Sequence, residues 1–277
     1  MNHITIIGCG LIGGSFAALA KEQGITIHGI GRRETPLHSA QENGIIDTYA
    51  TKLEASIVES TDAIVIASPI STVIPMIKEL NQLTQKSCTI IELSSVKSFL
   101  NDPIVSNSHH EIIAAHPMGG SDVQGLDHAS ADILRNRPMI VFNDNKTINT
   151  LFETLSFKLI HCDSYKEHDR WMSHISHGPY LVASLIPGLL ANESADYHHQ
   201  LSEVAAGGFK DTTRVANSPV EWGLDILNGN KNEMLSLIDA ITDQLRTLKS
   251  TIENSDITNL QEILTNAKAT RNTIVND

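Results

Sequence analysis

The chain has 277 residues and a formal net charge of −12, enough length for one large or two modest domains with a real core. The acidic balance argues against general nucleic-acid binding, and any anionic substrate would have to be held by locally placed cations. No apolar run is long enough to span a bilayer and no signal sequence opens the chain; three scattered cysteines, Cys9, Cys88 and Cys162, show no metal or redox spacing, so a cytoplasmic protein in a reducing compartment is expected.

Residues 4–7, 25–30, 63–67 and 89–93 are apolar, β-branched runs that read as buried strands. Runs at 111–115, 139–142 and 158–161 extend the series. Helix-length stretches, such as 15–23 and 72–83, lie between the first four. Strands alternating with helices imply parallel βαβ units. After about Cys162 the pattern becomes helical. Residues 165–191 form one such segment, which Gly178-Pro179 and Pro187-Gly188 must kink or interrupt. The clearest helix is 231–253, where Met234, Leu235, Ile238, Ile241, Leu245, Leu248 and Ile252 recur at three and four. Residues 256–275 form a final helix capped by Ser255 or Asp256. The expectation is an α/β protein: a Rossmann dinucleotide-binding domain, 1–163, followed by an all-α domain, 164–277, suited to homodimerisation.

Gly8-Cys9-Gly10-Leu11-Ile12-Gly13 matches G-x-G-x-x-G directly after a strand and at the opening of a helix, the context the motif requires. Gly8 permits the tight turn, Gly10 lets backbone approach a pyrophosphate, and Gly13 lets helix pack on strand. Leu11 and Ile12 stand at the helix N-terminus, where amides and dipole favour phosphate. At the end of the second strand the chain reads Gly29-Ile30-Gly31-Arg32-Arg33, with no acid where an NAD site places one. Arg32 and Arg33 suit the 2′-phosphate of NADP, so NADP is favoured over NAD. The alternative is that both are surface charges and Glu34 binds an NAD ribose. Ser68 and Pro69, beyond the strand at 63–67, complete the expected cofactor-binding set.

Two later strand ends carry chemistry. Ser94-Ser95-Val96-Lys97 follows the run at 89–93, and His116-Pro117-Met118-Gly119-Gly120 follows the run at 111–115. His116 is a candidate general base, its ordinary pKa lying near neutrality. Ser95 could orient a substrate or hold the imidazole; Lys97 could hold a carboxylate or maintain the site's polarity. Taken singly, each also reads as a strand-end cap, a surface lysine or a core histidine. The helical half adds Glu167-His168-Asp169, His174, His177 and Tyr180. His174 and His177, three apart, are expected on one helix face. No metal is expected, because no H-E-x-x-H is present. Residues 205–214 break the helical pattern, and Arg214 is available as a carboxylate clamp unless it pairs with Asp211 or Glu203.

These motifs together resemble the prephenate and arogenate dehydrogenase family of tyrosine biosynthesis. The matching pieces are the glycine loop with Gly14 and Ser15, Ser95-Val96-Lys97, His116 to Gly120, Glu167-His168-Asp169, Ser176-His177-Gly178-Pro179 and Gly207 to Arg214. They occur in the family's order over nearly the whole chain. The resemblance implies oxidative decarboxylation of prephenate to 4-hydroxyphenylpyruvate, with hydride transfer to NAD(P) and His116 taking the proton of the ring hydroxyl. Ser95 would bond that hydroxyl or the imidazole. Arg214 would hold a substrate carboxylate, with His177, Lys97, Tyr180 and Gly119 lining the pocket. Many prephenate-using members have a second histidine where Tyr180 stands, which keeps open the alternative of arogenate oxidised to L-tyrosine with NADP. With no added regulatory domain expected after the helical half, any tyrosine feedback would have to act at the active site. Two rivals remain. A β-hydroxyacid dehydrogenase would leave Ser95, His116 and Arg214 unexplained; a non-catalytic NADP(H) sensor would make His116 dispensable.

Overall fold

The β-branched runs become the strands of one sheet. In the computed structural model, residues 1–275 apart from Asp122, Gln124 and Asn143 are described. Eight strands occur among them: β1 His3–Ile7, β2 Thr26–Ile30, β3 Thr48–Ala50, β4 Ala63–Ile66, β5 Thr89–Glu92, β6 Glu111–Pro117, β7 Pro138–Val141 and β8 Lys158–His161. Their spatial order is β3-β2-β1-β4-β5-β6-β7-β8. Strands β1 to β6 pair in parallel, β7 runs antiparallel to β6, and β8 is parallel to β7. The edge strand β3 has no counterpart in the sequence reading, because three residues are too few to show a period.

The helices of the first half are α1 Leu11–Glu22, α2 Glu34–Glu42, α3 Ala55–Ser60, α4 Ile70–Leu83, α5 Pro103–Ser106, α6 Ala131–Leu134 and α7 Lys146–Thr154. Those of the second are α8 Tyr165–Met172, α9 Gly178–Gly188, α10 Ala195–Val204, α11 Gly207–Thr213, α12 Val220–Gly229, α13 Lys231–Glu253 and α14 Ile257–Ile274. The chain divides into two compact units, Met1–Lys231 and Asn232–Asp277.

In the first unit both faces of the sheet are covered, as parallel strands require. Alternate residues of β4 show it: Ala63 and Val65 join the core with Phe16 and Leu19 of α1, whereas Ile64 and Ile66 join the core with Val73, Ile77 and Leu80 of α4. Because β1 lies between β2 and β4, the order reverses there, and the crevice outside the ends of β1 and β4 is where a ligand collects. In the second unit, Leu235, Ile238, Leu245 and Ile252 of α13 and Ile257 and Leu264 of α14 are exposed.

Local differences from the sequence reading have physical causes. Helix α1 starts at Leu11, not Ser15, because the glycine loop leads straight into it. Between α8 and α9 the backbone makes a π-helical turn over Ser173–His177. Pro179, second residue of α9, has no N–H for the carbonyl four residues back, and the wider turn absorbs that loss. This turn overturns the shared face of His174 and His177: His174 is exposed, while His177 is buried. The break expected over 205–214 is confined to Ala205 and Ala206, and Gly207–Thr213 is helical. Asp256, not Ser255, caps α14, accepting from the Asn259 amide at 3.0 Å.

Candidate active site

The glycine loop occupies the switch point. Gly8 has φ 95°, and its amide donates to Ile30 O at 3.0 Å. A Cβ at Gly8 would lie 2.7 Å from Ala67 O, and one at Gly13 would lie 2.2 Å from Gly8 O. A Cβ at Gly10 would meet nothing within 4 Å. Two glycines are therefore required by packing, and the third leaves its backbone open to a ligand. The amides of Leu11, Ile12 and Gly13 precede the first intrahelical bond, from Gly14 N to Gly10 O at 2.9 Å, so they remain available to an anion. This cradle fits a dinucleotide pyrophosphate. Ser68 and Pro69 lie across it, Pro69 capping α4 and the Ser68 hydroxyl sharing a 2.8 Å hydrogen bond with Thr72 Oγ1. Arg32 and Arg33 are exposed beyond β2, with no ion pair among the described residues. Glu34 receives the Tyr49 hydroxyl at 3.4 Å.

The ends of β5 and β6 point the same way, because those strands are parallel. His116 is buried near the end of β6, and its Nδ1 lies 2.9 Å from His168 Nε2. His168 Nδ1 lies 2.8 Å from Asp169 Oδ1. The Asp169 carboxylate also accepts from the Lys97 and Ser98 amides, both at 2.8 Å. Burial raises the Asp169 pKa, but the bonds from His168, Ser98 and Lys97 outweigh it and hold the group below the usual carboxylate range. The carboxylate can only accept, so His168 donates from Nδ1 and accepts at Nε2. His116 must then donate from Nδ1, which leaves its Nε2 with the lone pair. Burial, followed by the charges of His168, Lys97 and His177, pushes the His116 pKa well below its ordinary value; burial lowers that of His168 too. The result is a neutral imidazole with a defined basic nitrogen that makes no hydrogen bond among the described residues.

Ser95, half-buried, makes no side-chain hydrogen bond among them either. It does not hold the imidazole at Nδ1, a position that His168 takes. The expectation that Lys97 lines a substrate pocket meets a correction. Its side chain is fully buried and forms an ion pair with Glu92, also donating to the Glu92 carbonyl at 3.2 Å. Its charge still bears on His116, so of the two roles weighed, maintaining polarity is the one the geometry permits. Gly119 is held to glycine by packing, since a Cβ would lie 2.7 Å from both Ile133 O and Leu134 Cδ2.

From the helical half, His177 accepts from Asn230 Nδ2 at 3.1 Å through Nδ1. The same Asn230 amide donates to the Asp169 carbonyl at 2.7 Å. Burial lowers the His177 pKa to about 4, so Nε2 carries the proton, and this buried donor has no partner among the described residues. Such an orphan points to a ligand acceptor. Trp222 of α12 stands edge-on to Tyr180 at 5.0 Å and to His177 at 6.4 Å. Asp225, on the same helix, caps α4 by accepting from the Ile70 amide at 3.0 Å. Arg214, exposed, opens a 3₁₀ turn, Arg214–Asn217, packed against α9. It pairs with neither Asp211 nor Glu203.

Sequence reasoning assigns no role to five residues of this constellation: His168, Asp169, Glu92, Asn230 and Asp225. Glu167-His168-Asp169 is visible as a charged cluster, and Glu92 as an acid inside a β-branched run. Asn230 and Asp225 carry no local signal.

A dinucleotide cradle in a sheet that presents a poised imidazole near the end of a further parallel strand defines a nucleotide-dependent dehydrogenase. Comparison with known proteins makes the class specific. Residues 16–162 match the family model for the prephenate dehydrogenase nucleotide-binding domain, and residues 164–266 match that for the prephenate dehydrogenase dimerization domain. The chain belongs to the prephenate dehydrogenase family. It is 29% identical over 279 residues to the prephenate dehydrogenase of Lactococcus lactis subsp. cremoris, covering 98% of this chain and 77% of that protein. It is 25% identical to the cyclohexadienyl dehydrogenase of Zymomonas mobilis, covering 92% and 90%. Among solved structures, the prephenate dehydrogenase of A. aeolicus in complex with hydroxyphenyl propionate and NAD+ superposes with a TM-score of 0.86 at 26% identity, covering 99% of each chain.

Proposed function

We propose that this chain oxidatively decarboxylates prephenate to 4-hydroxyphenylpyruvate. The observation that carries the reading is the Asp169–His168–His116 chain, which leaves His116 Nε2 as a free base near the end of β6, in the sheet whose β1 leads into the glycine loop. A nicotinamide nucleotide, when bound, would accept the hydride released as the C4–H bond of the substrate breaks. His116 takes the proton of the C4 hydroxyl at Nε2. The C1–carboxylate bond breaks to release carbon dioxide as the ring becomes aromatic, and His116 returns its proton to the phenolate oxygen. Ser95 orients the hydroxyl, His177 donates from Nε2–H to a substrate oxygen, and Arg214 clamps a carboxylate. Gly8, Gly10, Leu11, Ile12 and Gly13 hold the pyrophosphate, with Ser68 and Pro69 alongside.

Arg32 and Arg33, with no ion pair among the described residues, favour the 2′-phosphate of NADP over NAD. Tyr180, in place of a histidine, supports a second reading, arogenate oxidised to L-tyrosine. A homodimer through the helical half, 164–277, fits the exposed apolar residues of α13 and α14, and a cytoplasmic setting fits the chain, in which no described helix is long and apolar enough to cross a membrane.

The test is nucleotide reduction with prephenate and with arogenate, each with NADP and with NAD. Turnover of prephenate, together with a loss of about 10²–10⁴ in kcat for His116→Asn at little-changed KM, supports the reading, and turnover of arogenate alone supports the second. Absence of turnover with both overturns it and leaves the NADP(H) sensor.

A further inference from the structure

Asn230 stands where one carboxamide meets two acceptors. It caps the last turn of α12, its amide donating to Ile226 O at 3.0 Å, and its side chain is buried. The turn has little room to move, because a Cβ on the preceding Gly229 would already lie 3.4 Å from Val96 Cγ2. Asp169 decides which way the carboxamide points: its main-chain carbonyl, 2.7 Å away, can only accept. The group facing it is therefore the NH2, and the same nitrogen, through its second hydrogen, faces His177 Nδ1 at 3.1 Å. That ring nitrogen must hold a lone pair, and the proton of the neutral ring goes to Nε2. Burial keeps the ring neutral but selects neither tautomer; the partner of the other nitrogen does.

We propose that Asn230 is a positioning residue: by donating to Nδ1 it fixes His177 as an Nε2–H donor to the substrate and prevents it from acting as a second base. The proposal rests on the dehydrogenase reading above. Asp169 thereby sets both histidines, in opposite senses. Its carboxylate, through His168, leaves His116 with a lone pair at Nε2. Its main-chain carbonyl, through Asn230, leaves His177 with a proton at Nε2. The chemistry needs that division. A lone pair on His177 Nε2 would turn an acceptor toward a substrate oxygen that is itself an acceptor. A charged His177 would weaken His116 as a base, because the charge at His177 bears on that imidazole. The Asp169 carbonyl also accepts from the Ser173 amide, so it keeps a donor when Asn230 is replaced, and the loss falls on His177.

The experiment uses Asn230→Asp, which keeps the shape of the side chain but, when ionised, can only accept. Nitrogen NMR resonances of the His177 ring, assigned by their loss in His177→Phe, report which nitrogen is protonated and need no substrate. At neutral pH the wild-type ring is expected to carry its proton at Nε2, and the Asn230→Asp ring to carry it at Nδ1. A wild-type ring protonated at Nδ1 overturns the proposal whether or not any variant folds, and so does an Asn230→Asp ring that still lacks a proton there. The second arm is steady-state kinetics with whichever of prephenate and arogenate the wild type turns over. Asn230→Asp is expected to raise KM at least about ten-fold with kcat changed less than about three-fold, because a substrate oxygen loses its donor. In a His177→Phe background the same substitution is expected to change KM by less than about two-fold, since the group through which Asn230 acts is gone. Equal rises in both backgrounds would assign Asn230 a structural role only and overturn the proposal. No turnover of either compound by the wild type, with the proton found at Nε2, overturns the dehydrogenase reading on which the inference rests.

Discussion

At the residue scale, a single carboxylate organises the site. Asp169 fixes the tautomer of His168, which fixes that of His116. Asparagine there keeps the shape but offers a donor as well as an acceptor, so the chain of tautomers is no longer determined. Asp169→Asn is expected to lower kcat by about 10²–10⁴ with KM changed only a few-fold, by analogy with a triad carboxylate, as steady-state kinetics would read. Because burial and neighbouring groups depress the His116 pKa, the acid limb of kcat/KM in the wild-type enzyme should lie below pH 6.5. A limb above pH 7 would assign the base elsewhere. Lys97 was legible as a chemical residue but not as a structural one. Its partner, Glu92, sits five residues back on β5, and both side chains are fully buried. Lys97→Met leaves Glu92 buried without a counter-charge and is expected to cost about 3–5 kcal/mol of stability by denaturant unfolding; a loss under about 1 kcal/mol would show the pair to be dispensable.

At the scale of elements, the glycine loop shows why some sites are legible in residue spacing alone. Each of its glycines answers a constraint within one strand–turn–helix unit, so the motif carries its own context. Gly13→Ala places a methyl group 2.2 Å from Gly8 O, and both atoms belong to backbone that cannot rotate away. Helix α1 must shift on β1, at an expected cost of about 1–3 kcal/mol. Nucleotide affinity, measured by fluorescence titration, should fall at least about ten-fold because the Leu11 and Ile12 amides move with the helix. Unchanged affinity would mean that these amides do not hold the pyrophosphate. Helix α12 shows the opposite case. Its ten residues say nothing of the partners they meet, yet it brings Trp222 to Tyr180, Asp225 to α4 and, at its C-terminal cap, Asn230 to His177. The π-helical turn before α9 escaped periodicity for a related reason. It follows from how a missing proline N–H is accommodated, and that depends on the packing around it.

At the scale of the whole molecule, the concentration of buried neutral histidines gives the protein a pH signature. His177 has a folded pKa of about 4 against an ordinary 6.5, so the unfolded chain takes up the proton first. Its contribution to stability is complete above about pH 6.5 and is lost as pH falls toward 4, on the order of 3 kcal/mol for this one group. His116 and His168 act with the same sign. Tm should therefore drop steeply between pH 6.5 and 4, and His177→Asn, which cannot be protonated in this range, should flatten part of that slope. A wild-type Tm that is flat across the range would mean that these imidazoles are charged when folded.

The sequence by itself determined the alternating α/β half, the helical half, the nucleotide loop and the identity of the titratable residues. Hydrophobic period, glycine spacing and residue chemistry are local properties, expressed within a few residues of where they act. Only the tertiary structure decided which nitrogen of His116 is free, because that follows from His168, 52 residues away, and from the carboxylate behind it. It also decided that Lys97 is spoken for by Glu92, that His174 and His177 part company, and that Asn230 holds His177 at Nδ1. Each of these depends on which surfaces meet when elements distant in the chain pack together, and no local pattern encodes that.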